Sequence, residues 1–311
     1  MYYPILRGKQ FELIALRELT KLQGINYVTP VIEPVKIISN PFIKTIQELN
    51  QSNITPLIII NSTLGEEKNP KDIFSQLQQA GVNYLPCISF EDHHSKSDFL
   101  DTRNAIAGKK FALYAKNINE ESIFKNTDNI ELLLVEQKPD IAKNAQAALN
   151  IPTVVIEDGF DKKVKNADYP PYTNFSSSIE DYSTLDLHGF GDYTITGNSF
   201  TESGGPAYVV AIHLTQIISN PSSIFSSNTK IIVNHFCSAN NGSYSDPAGK
   251  FYDALTKLIK FLNNNTEILE TSSISEFRKL HKSEHFPGLG AVKKLSMLHH
   301  IESILKHIEG S

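Results

Sequence analysis

The stretch YYPILRGKQFELIALREL, residues 2–19, contains one complete strand–turn–helix unit. It opens with a short apolar run and turns at Arg7-Gly8-Lys9. Its second half then carries apolar residues at the spacing of one helical face. This order of elements is the building unit of parallel α/β folds.

Six further apolar runs of the same kind follow, at spacings of roughly 20 to 28 residues, and parallel strands need a crossover of about this length. The runs are apolar throughout, as expected for strands that are buried on both faces. Each run ends in a polar or charged residue. From the first run to the seventh, these endings are Arg7, Glu33, Asn61, Ser89, Lys116, Glu136 and Asp158.

Two architectures share this pattern, a doubly wound sheet and an eight-stranded barrel. Seven regular units before residue 159 favour the barrel, because doubly wound sheets usually have fewer strands. We therefore predict an α/β fold, a TIM-like (β/α)8 barrel that forms a single domain over residues 1–311.

The regular repeat stops after Asp158. Residues 162–183 are polar and rich in Pro, Ser and Tyr, which predicts a long loop or an excursion of the chain. Residues 160–230 are accordingly predicted to form an irregular insertion near the barrel mouth, after the seventh strand.

Two apolar runs and a helical tail are predicted beyond this loop. The runs, residues 208–214 and 230–236, are predicted strands. We assign residues 230–236 as the eighth barrel strand, because a long helical pattern follows them as the repeat requires. The helical C-terminal tail is predicted to occupy residues 247–311.

The composition limits the class of protein. A net charge of -5 gives no overall basic field, so nucleic acid is not indicated as an obligatory partner, although a local basic patch leaves it open. The two cysteines fit a reducing compartment, and no window has the length of apolar sequence that spans a membrane. The N-terminus lacks the pattern of a signal peptide. We expect a cytoplasmic protein with no membrane partner.

The C-terminal ends of the strands hold the site in barrels of this kind, so the polar endings are the first candidates. Arg7 and Lys9 are predicted to bind an anion together with backbone donors at the helix start, with solvated turn charges as the alternative. Glu33 is a candidate catalytic acid or base, or the partner of Lys36 or Arg7 in an ion pair that closes the barrel top. Asn61 is predicted to orient a ligand, with a plain turn residue as the alternative.

Lys116 is the sharpest single candidate for chemistry. A lysine at a barrel mouth forms a Schiff base with a carbonyl substrate when burial favours its neutral amine. The alternatives are a counter-ion for Glu136 or a cation that binds an anionic ligand.

Acidic residues add a second kind of candidate. Glu136 and Asp158 are predicted to bind the ligand, and Asp192 is a candidate catalytic residue. Together with Glu33 they offer the oxygen ligands that a divalent cation prefers, so a divalent cation is a possible cofactor without any metal ligand being assigned.

Three histidine-containing segments offer further candidates. HGFGDYTITG begins at His188 and has glycines that let the backbone approach a ligand, with a tight turn as the alternative. The tripeptide Asp92-His93-His94 has metal-ligating side chains but lacks the aspartate pattern of the phosphoesterases that share it. His235 and Cys237 alternate on one predicted strand, and His213 on another predicted strand is a possible neighbour. Together they offer zinc ligands, but without the paired spacing that is typical of zinc sites.

The segments YYPILRGKQFELIALREL, VTPVIEP and GFGDYT together resemble the beta protein family of bacterial and phage proteins. The resemblance extends over most of the chain. It implies a closed α/β barrel of undetermined activity in phage-related or antiviral defence biology, and it implies no catalytic residues. The matching positions are Tyr3, Pro4, Leu6, Lys9, Glu12, Leu16, Pro30, Glu33, Gly191, Asp192 and Tyr193.

The function predicted from the residues is binding of a small anionic, phosphate-containing ligand at the C-terminal rim of the barrel. Two alternatives stay open. One is a non-enzymatic scaffold for a nuclease-like protein encoded nearby, and the other is a Schiff-base lyase that uses Lys116. Whether the chain is an enzyme is left open with them.

Overall fold

The computed structural model describes residues 1–66, 68–91, 95–106, 108–116, 128–176, 178–201, 208–218, 229–240 and 242–310. The chain divides into two compact units. The first unit consists of residues 1–158 and 178–193, and the second consists of residues 159–177 and 194–311. The chain therefore passes from one unit to the other three times, and the assignment of a single domain stays a prediction.

Within the described residues, eight parallel strands of the first unit close into a barrel, which confirms the predicted TIM-like fold. Seven of them come in sequence order: β1 (Tyr2–Leu6), β2 (Val31–Ile32), β3 (Leu57–Ile59), β4 (Leu85–Phe90), β5 (Phe111–Ala115), β6 (Ile130–Val135) and β7 (Thr153–Glu157). The next strand in sequence, β8 (Tyr172–Ser176), lies in the second unit, and β9 (Gly189–Asp192) completes the barrel.

Among the residues that the structure describes, helices follow six of the eight barrel strands. They are α1 (Gln10–Leu19), α2 (Asn40–Gln51), α3 (Pro70–Gln79), α4 (Lys96–Ala105), α5 (Pro139–Leu149) and α6 (Ser178–Thr184). Proline stands in the first turn of α2, α3 and α5, where its missing N–H would lack a helical partner in any case.

Alternate residues of the strands fill the barrel interior. Tyr3 and Ile5 of β1 lie in this cluster, as do Leu132 and Leu134 of β6. Because strand side chains alternate in direction, the next inward positions lie just past the strand ends. Those positions are Arg7, Glu33, Asn61, Lys116, Glu136 and Asp158, so the fold points the predicted polar endings toward one mouth.

The eighth barrel strand is β9, and the prediction that residues 230–236 form it is wrong. β9 pairs in parallel with both β1 and β7. A Cβ atom on Gly191 would lie 2.2 Å from the backbone oxygen of Tyr3, so only glycine fits this close approach. The sequence GFGD lacks the β-branched residues that mark a strand, which is why β9 escapes a propensity argument. The predicted insertion therefore includes a barrel strand.

The second unit contains an antiparallel sheet in the order β10–β11–β8, where β10 is Ala211–Ile218 and β11 is Lys230–Cys237. Three helices follow, α7 (Pro247–Asn264), α8 (Ser272–Lys282) and α9 (Leu289–Glu309), and they confirm the predicted helical tail. Apolar side chains of α7, α8, α9 and β10 form one core. Of the two alternatives for residues 162–183, a loop is wrong, because the stretch contains β8 and most of α6.

Among the described residues, no helix has both the length and the apolar character needed to cross a membrane.

Candidate functional site

A buried ion pair joins the first two strands at the C-terminal mouth of the barrel. The Arg7 guanidinium pairs with the Glu33 carboxylate, and both side chains are more than nine-tenths buried. Ser62, just beyond β3, donates from its hydroxyl to Glu33 Oε1 at 2.9 Å. Of the two partners predicted for Glu33, the structure selects Arg7. A charged pair at this depth is tolerated because the two charges neutralise each other and the Glu33 carboxylate accepts a further hydrogen bond from Ser62.

Two tyrosines continue this network from β1 to β6. The Arg7 guanidinium carbon lies 4.9 Å from the ring centroid of Tyr193, which follows β9. The Tyr193 hydroxyl donates to Glu136 Oε2 at 2.8 Å. The Tyr114 hydroxyl donates to the same carboxylate oxygen and also contacts the Tyr193 hydroxyl. Arg7, Tyr193, Tyr114 and Glu136 thus form one continuous polar system.

The pKa values of Tyr114 and Tyr193 lie well above the ordinary tyrosine value. Burial is the largest cause for both. The electrostatic effect of the neighbouring Glu136 carboxylate raises both pKa values further, since a phenolate beside a carboxylate would bring two negative charges together. Both hydroxyls are therefore protonated donors at neutral pH.

Lys116 lies beyond the end of β5 in a partly exposed ion pair. Its Nζ atom is 2.8 Å from Glu91 Oε1, and 5.6 Å from the ring centroid of Tyr114. The Ser89 hydroxyl also approaches Glu91, at 3.4 Å. The predicted counter-ion, Glu136, is wrong, because Glu136 accepts from the two tyrosines and the ion-pair partner of Lys116 is Glu91.

Asn61 joins β3 to β4 through both ends of its amide. Its Nδ2 atom donates to the backbone oxygen of Ser89 at 2.7 Å, and its Oδ1 atom accepts from the backbone N–H of Ser89 at 2.8 Å. The side chain thus extends the ladder between these strands by one step. This bonding supports the turn-type role rather than ligand orientation.

Together these contacts form the mouth ring, which we define as Arg7, Glu33, Ser62, Asn61, Ser89, Glu91, Lys116, Tyr114, Glu136 and Tyr193. The ring takes residues on or next to seven of the eight barrel strands. The remaining strand, β7, is followed by Asp158, which is exposed at the same end of the barrel. The ring brings together Arg7, Glu33, Asn61, Lys116 and Glu136 from the predicted set.

The start of α1 is already occupied by a carboxylate of the chain. Glu12 is buried, and its Oε2 atom accepts from the backbone N–H of Arg7 at 2.5 Å and of Lys9 at 3.4 Å. These are the backbone donors that the predicted anion site at Arg7 and Lys9 would use. The half-buried Lys9 lies next to this turn, and the structure does not place it in the mouth ring.

Asp192 lies on the outer face of the barrel wall. Its Oδ1 atom accepts from the Tyr2 hydroxyl at 2.8 Å, and the Tyr2 ring packs 5.2 Å from that of Phe190. Alternation along β9 explains this position, since Gly191 and Tyr193 take the inward side and Asp192 the outward one. The structure therefore does not bring Asp192 together with Glu33 or Lys116.

No group of three or more His, Cys, Asp or Glu side chains among the described residues is arranged to hold a metal ion. Asp92-His93-His94 lies outside the described residues. His188 is exposed just before β9, at the opposite end of that strand from the mouth. His235 and Cys237 belong to the second unit.

No protein-family model matches this chain, and no curated protein matches it. Membership of the beta protein family and a place in phage or defence biology therefore stay predictions. A nearby protein partner, cytoplasmic location and the possible divalent cation stay predictions with them.

Sequence reasoning missed four members of the ring, Ser62, Glu91, Tyr114 and Tyr193. Tyr114 stands inside an apolar strand, where an aromatic residue usually indicates core. Tyr193 follows the candidate Asp192 directly. Alternation along β5 puts Tyr114 on the same face as Lys116, and this signal would have selected Tyr114. The sequence offers no such signal for Tyr193, because β9 is not a predicted strand.

Proposed function

We propose that the barrel mouth binds a small ligand with a phosphate or other anionic group, and that Lys116 contacts the negative charge. The observation that carries the proposal is the mouth ring itself. It places polar groups from seven strands at the end of a (β/α)8 barrel where such folds hold their ligands.

The difference between the two cations of the ring assigns them different roles. The side chains of Arg7 and Glu33 are 6% and 7% exposed, whereas those of Lys116 and Glu91 are 22% and 26% exposed. Breaking a buried pair leaves an uncompensated charge, but a pair near the surface contributes only about 0–1 kcal/mol. An anionic ligand can therefore replace Glu91 at Lys116, while Arg7 positions Glu33 and Tyr193.

Two acidic residues at this end of the barrel, Glu136 in the ring and Asp158 beside it, select which other groups the ligand carries. Glu136 follows β6 and is half-buried. Asp158 follows the neighbouring strand β7 and is exposed. Carboxylates accept hydrogen bonds from hydroxyl groups and repel a second anion. A ligand with one anionic group and several hydroxyls, such as a sugar phosphate or a nucleotide, satisfies both requirements.

The geometry favours this role over Schiff-base chemistry. A lysine nucleophile reacts as the neutral amine. Lys116 instead lies at salt-bridge distance from Glu91, an arrangement that suits an ammonium group.

The test compares AMP with adenosine as titrants of the wild-type chain in calorimetry at low salt. Loss of the Lys116 ammonium removes a charge-assisted hydrogen bond, so Lys116→Met should weaken AMP binding by about tenfold or more. The matched control is Lys110→Met at the other end of β5, where the exposed Lys110 pairs with Glu131 at 3.5 Å. Lys110→Met should leave AMP affinity unchanged.

Three results would contradict the proposal. The first is equal affinity of the wild type for AMP and adenosine. The second is an equal loss of AMP affinity in Lys116→Met and Lys110→Met. The third is that the wild type binds none of AMP, inorganic phosphate and glyceraldehyde phosphate. Borohydride trapping of glyceraldehyde phosphate on Lys116 would instead support the lyase.

A further inference from the structure

The second unit has a cavity of about 210 Å³ that is separate from the mouth ring in sequence and in its lining. Its walls come from residues 160–169, the start of β10 and the first turns of α9. This volume is somewhat larger than the roughly 150 Å³ of an apolar cavity that binds benzene. It therefore suits a compact ligand rather than a nucleotide.

Aromatic rings form one side of this cavity. Phe160 and Tyr169 both line it, and their ring centroids lie 5.1 Å and 4.8 Å from that of His213, which lines it as well. Val292 adds an aliphatic surface. These surfaces favour a flat, apolar ligand body.

The charged side chains that line the cavity are both cationic. Lys162 and Lys293 line it, and no carboxylate appears in the lining formed by the described residues. Lys162 also donates to the backbone oxygen of Ser199 at 3.1 Å, which directs its side chain. Two ammonium groups beside an apolar wall favour a ligand with negative charge.

His213 supplies an oriented polar atom. Its Nδ1 atom lies 2.8 Å from His235 Nδ1, and His235 Nε2 lies 2.9 Å from the Thr173 hydroxyl. Burial, His235 and Lys293 lower the pKa of His213 to about 3, so the ring is neutral at pH 7. With Nδ1 engaged by His235, Nε2 is the ring atom of His213 that can meet a ligand.

We propose that this cavity binds a small aromatic carboxylate, with its ring against Phe160 and Tyr169 and its charge toward Lys293 and Lys162. A polar group of the ligand then bonds His213 Nε2. This site is independent of the proposed function of the barrel.

Benzoate is the probe, with benzyl alcohol as its uncharged counterpart and inorganic phosphate as an anion without a ring. Benzoate should bind the full-length chain and shift the imidazole NMR signals of His213. Benzyl alcohol should bind at least about tenfold more weakly, because it lacks the charge-assisted contact.

Lys293→Met should weaken benzoate binding about threefold to fivefold, as expected for an exposed charge. The matched control Lys282→Met removes an exposed lysine of α8 that does not line the cavity, and it should change nothing. The proposal is overturned if benzoate leaves the His213 signals unmoved at millimolar concentration. Equal affinity for benzyl alcohol, binding of phosphate without benzoate, or an equal effect of Lys282→Met would also overturn it.

Discussion

Each compact unit buries charged side chains, such as Glu12 and Asp192 in the barrel and Lys250 and Glu302 in the second unit, but the units differ in the polar groups that they bury together. The barrel buries the charges of Arg7 and Glu33 and neutralises them as a pair. The second unit buries imidazoles, with His299 fully enclosed between the Thr271 hydroxyl at 2.8 Å and the backbone oxygen of Thr215 at 2.7 Å. A charged pair requires both partners, whereas a buried imidazole requires only that it stay uncharged.

This difference means that the units fail under different perturbations. Removing one partner of the ion pair should damage the barrel at any pH at which the other is charged. Acid should damage the second unit, because burial lowers the pKa of His235 and His299 to about 4 and that of His213 to about 3. Three predictions follow from this contrast, in order of decreasing effect.

The largest effect is expected for Arg7→Met. Glu33 then lies buried without its cation, which should lower the free energy of unfolding by about 3–5 kcal/mol. The control is Arg278→Met in the second unit, where Arg278 and Glu270 form an exposed pair worth less than about 1 kcal/mol.

Urea denaturation at pH 7 measures both variants. The double variant Arg7→Met with Glu33→Met should regain most of the loss, since no unpaired charge remains. Equal losses for Arg7→Met and Arg278→Met would show that the barrel does not depend on its buried pair.

The second effect is a loss of stability in acid that His299 carries. Its pKa is about 4 in the folded chain and about 6.5 in the unfolded chain, so above pH 6.5 neither state binds the proton and the stability is complete. As the pH falls from 6.5 toward 4, the unfolded chain is protonated first, and up to on the order of 3 kcal/mol is lost.

Denaturation measured from pH 7.5 to pH 4.5 tests this window. His299→Gln removes one of the three low-pKa histidines, so the stability of this variant should depend less on pH than that of the wild type. His285→Gln, at an exposed histidine, should keep the slope of the wild type. Parallel pH curves for wild type and His299→Gln would refute the assignment.

The smallest effect is expected for Tyr193→Phe. The ring stays beneath Arg7 while the hydrogen bond to Glu136 is lost, which should cost about 1 kcal/mol. Tyr114→Phe should interact non-additively with it, because both hydroxyls bond the same carboxylate oxygen.

The control for this pair is Tyr172→Phe in the second unit, where the side chain is exposed and the change should lie within about 0.5 kcal/mol. Thermal unfolding resolves these differences when the two single variants Tyr114→Phe and Tyr193→Phe, their double variant and Tyr172→Phe are measured together. If the stability losses of Tyr114→Phe and Tyr193→Phe were strictly additive in the double variant, the two hydroxyls would act independently, contrary to the prediction.

The sequence predicts the barrel where local pattern and burial agree. Strands such as β3 and β5 are continuous apolar runs because both faces are buried, and the polar residues after them mark one end of the sheet. β9 follows another rule, since the approach of Tyr3 to Gly191 demands a residue without a side chain. This steric requirement is set by β1, which is far from β9 in sequence, so the residues around Gly191 alone do not reveal it.

The candidate site shows the same division. Positions such as Glu33 and Lys116 follow from strand length and alternation alone. Partner choice does not, because Lys116 pairs with Glu91 from the neighbouring strand end and not with Glu136. The charge of Asp192 makes it a candidate from sequence. The alternation along β9, however, turns Asp192 outward and places Tyr193 in the barrel mouth.

The chain crosses between the two units three times, and this affects both its folding during synthesis and its response to proteolysis. A fragment of residues 1–158 has seven barrel strands and lacks β9, so β1 and β7 each present an unpaired edge that invites aggregation. The growing chain on the ribosome passes through this open form. β8 is synthesised before β9 closes the barrel. It can pair only after β11 has been synthesised, because β11 is its neighbour in the sheet. Limited proteolysis after Asp158 should therefore yield insoluble fragments rather than a free barrel.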